Sequence, residues 1–151
     1  MIKDKIEMFC KLAYEYESVM LRKSGAADKL LHKMALLSKE ILSTDDGLEN
    51  MSALVASNNI FIAGWSCMNI LSHGTPSMHN KKKFIDRLKL LGKTVGPFAI
   101  YISFFLAANG YAKYGEVNKG VWRVVRGAEK PNPQRFPEPF FEWDWRSFPG
   151  M

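Results

Sequence analysis

The chain has 151 residues, of which 47% are hydrophobic, and a formal net charge of +6. That length leaves room for one domain with tails and not for two, and so ordinary an apolar fraction does not by itself declare a membrane protein. The charge is concentrated: residues 1–50 carry eight basic and nine acidic side chains, residues 81–93 six basic and one acidic, and residues 113–151 seven basic and five acidic. A nucleic-acid binder usually interleaves its basic residues with glycine or stacking aromatics, so no nucleic acid is expected as a partner.

The first elements in the chain are amphipathic. Ile2, Ile6, Phe9, Ala13 and Tyr16 recur at spacings of four and three, which predicts a helix over 2–22 with these residues on one face. Ser24-Gly25 breaks it. Leu30, Met34, Leu37 and Ile41, flanked by Leu31 and Leu42, predict a second helix over 26–43, and Thr44-Asp45-Asp46-Gly47 reads as a turn. Together they form an expected helical hairpin. The N-terminus mixes charges early and lacks an apolar core and a cleavage site, so neither a secretory signal nor a cleaved organelle presequence is expected; any organelle targeting would be internal.

From 51 to 72 no side chain is charged, a length that suits a bilayer crossing, although Asn58, Asn59, Asn69 and several serines make the run polar for lipid. A spanning helix and a buried soluble helix are both open here. His73-Gly74-Thr75-Pro76 ends the run, and Lys81, Lys82, Lys83, Arg87 and Lys89 follow. Phe84, Leu88 and Leu91 share one face opposite these cations, the pattern of a short helix lying among anionic headgroups. RNA contact and a plain solvated face are the rival readings.

Residues 94–112 give the strongest signal. These nineteen residues carry no charge, include seven large apolar side chains, and are bracketed by Lys93 and Lys113 with Tyr111 and Tyr114 at one end. Eighteen or so apolar residues meet the demand of a hydrocarbon core about 30 Å thick, and interfacial aromatics and lysines are expected at its edges. The competing reading is the central helix of a soluble bundle. Beyond Gly127 four prolines between Pro131 and Pro139 favour an extended tail, which then carries Phe136, Phe140, Phe141, Trp143, Trp145 and Phe148. So dense an aromatic surface on a short peptide reads as a partner-contact site, or as a tail folding back on the hairpin.

The expected organization is therefore all-α: an amphipathic hairpin over 1–50; a membrane region over 51–115 with one or two transmembrane helices, about 51–72 and 94–112, and a basic loop at 73–93; and an extended proline–aromatic tail over 116–151.

Chemistry is sparse. Cys10 and Cys67 have no metal-type spacing and read as free thiols. No nucleophile elbow is present, and Gly92-Lys93-Thr94 lacks the earlier glycine of a phosphate loop, which is Arg87 here. Neither Asp45/Asp46 nor Glu142/Asp144 has the burial that acid–base work needs. His73 and His79, flanking the break before the basic run, are the candidates for meeting a haem or quinone; solvated loop positions are the simpler expectation. The chain is thus expected to be no enzyme, with no catalytic residue, metal or cofactor of its own, and to take anionic lipid as its bound molecule.

A lysine-bounded apolar helix, a linker, and then Pro139-Phe140-Phe141-Glu142-Trp143-Asp144 resemble the small accessory subunits of mitochondrial respiratory complexes, and most nearly cytochrome c oxidase subunit VIa. The motif has an extra residue and no second proline, and the resemblance covers roughly residues 90–151. It implies a non-catalytic accessory subunit of an inner-membrane complex involved in electron transport, with the other subunits as partners and the mitochondrial inner membrane as location; a bacterial or phage membrane is the other setting. Two alternatives stand beside it: a soluble all-helical binding or inhibitor protein, and a membrane anchor lending His73 or His79 to a quinone or haem site.

Overall fold

Apolar residues recurring every three or four positions fix the first two helices. Within residues 2–19, 26–94, 96–113 and 115–118, which the computed structural model describes, the chain is all-helical. Helices α1 (Ile2–Val19) and α2 (Ala26–Leu42) pack against each other and both pack on α4 (Ile60–His73). Between them lie the short α3 (Gly47–Ser52) and a 3-10 turn, Ala53–Ala56. Helix α5 (Met78–Gly92) packs on both α4 and α6 (Pro97–Ala108). The expected faces are the buried ones: Phe9, Ala13 and Tyr16 on α1, and Leu30, Leu31, Met34 and Ile41 on α2. Residues from the hairpin and from both uncharged runs join one hydrophobic cluster.

The expected membrane span over 94–112, and the second one left open over 51–72, are corrected by local backbone signals. Residues 94–112 form a helix only over Pro97–Ala108. Gly96 precedes it with a φ of 117°, a conformation that favours glycine, and Pro97 occupies the first turn, where its missing N–H costs nothing. At the other end Gly110 takes φ 77°; the N–H of Tyr111 donates to Leu106 O at 2.8 Å and that of Gly110 to Ala107 O at 3.1 Å. This paired closure over a left-handed glycine terminates a helix. Twelve residues rise about 18 Å, against the ~30 Å of a hydrocarbon core.

The run 51–72 is divided as well. Helix α3 gives way to the 3-10 turn, and Asn59 caps α4 by accepting from the N–H groups of Phe61 at 2.9 Å and Ile62 at 3.1 Å. The fourteen residues of α4 rise about 21 Å. Among the described residues no helix is long and apolar enough to cross a membrane. What the missing charge reports instead is burial on every side: Ala63 to Ile70 are all buried on α4, and Phe98, Tyr101, Ile102, Phe104, Phe105 and Leu106 on α6. A helix hydrophobic all round is equally at home inside protein or lipid, and here protein surrounds it.

Rings join α1, α4 and α6. Tyr16 meets Trp65 edge-on at 4.9 Å, Phe61 stacks on Phe98 at 4.6 Å, and Trp65 also contacts Phe98 at 5.5 Å and Tyr101 at 5.4 Å. Gly64 makes this packing possible, since a Cβ there would lie 2.8 Å from the Phe98 ring.

Candidate functional site

Helix α5 begins at Ser77, whose hydroxyl accepts from the Asn80 N–H at 3.3 Å, and its fifteen residues separate charge from apolar surface. Phe84, Leu88 and Leu91 are buried against the protein core. The expectation that this apolar face enters a headgroup layer is therefore corrected: it is occupied by α4 and α6, and the polar side is what remains for contact. On that side Lys81, Lys82 and Lys83 are exposed, as is Lys93 just past the end of the helix.

The cations are not equivalent. Lys82 pairs with Asp86 at 3.0 Å, one turn on, with both side chains more than half exposed. Lys89 lies 4.0 Å from Glu116. Lys81 sits over the Tyr111 ring, 5.4 Å from its centre, on the flank that faces the chain after α6. Arg87, half-buried, is held by the fold: its Nε donates to Val55 O and its Nη2 to Ser57 O, each at 3.2 Å. It thereby ties the 3-10 turn to α5 and supplies donors to carbonyls that the end of the turn leaves unsatisfied. Lys83 has no ion pair among the described residues.

Where the 3-10 turn meets α5 the surface falls into an open groove of about 520 Å³, lined by Ser52, Val55, Ala56, Asn58, Lys83, Asp86, Arg87 and Leu90. A second hollow of about 400 Å³, lined by His79, Lys82, Lys83 and Asp86, shares Lys83 and Asp86 with it. The two make a trough along one side of α5. Leu90 is 59% exposed and gives that side an apolar wall between cations. Sequence reasoning picked out the lysines and Arg87. It missed Leu90, on α5 itself, and Val55 and Asn58, which are brought to the trough by a contact spanning some thirty positions of sequence. The signal available was the polar break Ser57-Asn58-Asn59 in an apolar run, which puts a turn there.

The histidines are separated by role and place. His73 closes α4 and is partly buried, whereas His79 is exposed in the first turn of α5. No group of three or more metal-ligating side chains occurs among the described residues. Cys10 and Cys67 are free thiols. Burial pushes the Cys67 thiol up to about 12, with the Arg87 charge pulling the other way, and burial followed by the Glu7 charge raises Cys10. Neither is tuned toward a thiolate. Tyr101 is likewise raised well above its ordinary value, first by burial and then by Tyr16 and Asp28. Phe136, Phe140, Phe141, Trp143, Trp145 and Phe148, the expected partner-contact residues, lie outside the described residues.

Compared with known proteins, the chain matches no family model, no curated protein and no solved structure.

Proposed function

We propose that this chain is a non-catalytic helical accessory protein that attaches peripherally to an anionic membrane surface through the polar side of α5, and so to an assembly on that membrane. One observation carries the reading. The apolar stripe of α5 is used up in the core, leaving three exposed lysines on a helix that contains most of the net charge and a fourth, Lys93, just past its end. Each cation close to an anionic bilayer contributes about 1 kcal/mol, so these lysines suffice for reversible adsorption and not for permanent anchoring. Membership of a respiratory-chain assembly is supported only by the likeness of residues 90–151 to an accessory subunit, and it remains part of this proposal on that ground alone.

The test is co-sedimentation of the full chain with vesicles of phosphatidylcholine alone and vesicles that also contain phosphatidylglycerol. Binding is expected only to the anionic vesicles, and it should vanish as salt rises from about 0.1 M to about 1 M, which shortens the screening length from about 10 Å to about 3 Å. Equal binding to both vesicle types, or none to the anionic vesicles at low salt, would overturn the proposal.

A further inference from the structure

The groove between the 3-10 turn and α5 combines features that plain electrostatic adsorption does not require. Arg87 lines it with its guanidinium already fixed by two backbone carbonyls. A guanidinium has five N–H donors, and two bonds leave three for a ligand. Its orientation is set before any ligand arrives, so little freedom is lost on binding. Lys83 precedes it by one helical turn and stands on the same side of α5. Asn58 adds an amide at the rim. Asp86, the acidic residue of the lining, is drawn to Lys82 at 3.0 Å, which reduces its repulsion of an incoming anion. Val55 and Ala56 line the opposite wall with apolar surface, and the exposed Leu90 adds an apolar side chain beside the cations on α5. The volume, about 520 Å³, lies within the ~300–1,000 Å³ of small-molecule sites.

We infer that this groove is a headgroup site for an anionic lipid bearing a phosphomonoester. The phosphoryl oxygens meet Arg87 and Lys83, and the glyceryl and upper acyl carbons lie on Val55, Ala56 and Leu90. Phosphate suits the donors because a terminal phosphoryl group offers three strong acceptors and up to two charges, and guanidinium binds such oxygens in a fork. The apolar wall favours an amphiphile over free phosphate, which would leave it wet. The inference rests on the proposed membrane attachment and adds selectivity to it: α5 as a whole adsorbs to any anionic surface, whereas the groove distinguishes one headgroup.

The experiment compares the full-length protein with Lys83→Ala and Lys81→Ala on two sets of vesicles matched for surface charge. One contains phosphatidic acid and the other phosphatidylglycerol, each in phosphatidylcholine. Both lysines are exposed, so both variants should keep the wild-type circular dichroism and unfolding midpoint. Wild type should prefer phosphatidic acid. Lys81→Ala should weaken binding to both sets roughly fivefold, the effect of one lost surface charge. Lys83→Ala should do the same on phosphatidylglycerol and lose at least about fivefold more on phosphatidic acid, removing the preference. Equal losses for both variants on both sets would overturn the headgroup site while leaving adsorption by α5 intact. Absence of binding to either set would remove the attachment proposal as well. Binding of soluble glycerol 3-phosphate as tight as binding to phosphatidic acid vesicles would assign the groove to a solute and overturn the lipid.

Discussion

Helices α5 and α6 are neighbours of similar length that treat solvent in opposite ways. Helix α5 alternates apolar and cationic residues with helical period and buries one side; α6 has no charged residue and is buried nearly all round. Helix α4 behaves like α6, and the two meet where the Phe98 ring lies over Gly64. The contrast teaches that an uncharged stretch reports how completely a helix is enclosed and does not identify the enclosing material. The same distinction separates the residues that hold the fold from those free to make contacts outside it.

The comparison breaks most severely at Trp65, which is fully buried and touches rings from α1 and α6. Trp65→Ala should cost about 3–5 kcal/mol in denaturant unfolding, enough to unfold a marginally stable domain. A loss below about 1 kcal/mol would mean that the enclosed helix pair is not the centre of the core.

Alkaline pH probes the same enclosure. Burial pushes the folded thiol of Cys67 up from its ordinary 9.0 to about 12. An acid whose folded pKa is raised lends its full stability below the unfolded value and loses it as pH rises toward the folded value. Stability should therefore be insensitive to this group below pH 9.0 and fall by about 1.4 kcal/mol per pH unit between 9.0 and about 12. Tyr101, also raised by burial, steepens the loss at higher pH. Cys67→Ala should remove its share of the slope, as read from unfolding curves across that window; an unchanged slope would place the thiol in contact with water.

A smaller effect is expected at the α4–α6 approach. A Cβ at Gly64 would sit 2.8 Å from Phe98, a ring confined by Tyr16, Phe61 and Trp65. Gly64→Ala gains helix propensity worth up to about 1 kcal/mol and meets an overpacking penalty of about 1–3 kcal/mol. A net fall in stability is expected, and a rise in the unfolding midpoint would show that the ring can move aside.

The smallest effects belong to the outer side of α5. Removing the exposed Lys82–Asp86 pair by Lys82→Ala should change unfolding free energy by no more than about 0.5 kcal/mol. A loss several times larger would assign these cations to the fold and weaken their reading as a contact surface.

Much of this division was legible in the chain itself. The period of Ile6, Phe9, Ala13 and Tyr16 located α1, that of Leu30, Met34 and Ile41 located α2, and Phe84, Leu88 and Leu91 marked the apolar face of α5, though not what covers it. The breaks were written there too: Gly96-Pro97 and Asn109-Gly110 bound α6, and Asn59 starts α4. Counting uncharged residues across these signals gave a span longer than the helix that forms, because absence of charge extends through turns and caps whereas backbone hydrogen bonding does not.

By itself, then, the sequence determined the helical class, the one-sided faces of α1, α2 and α5, and the concentration of positive charge along α5, since each follows from local period and composition. Only tertiary structure decided that α4 and α6 are enclosed by protein, that the apolar face of α5 is already occupied, and that Arg87 is fixed by carbonyls some thirty residues earlier beside Lys83 and Leu90. Those outcomes depend on which surfaces meet across the fold, and contacts between distant segments leave no periodic trace in a single chain.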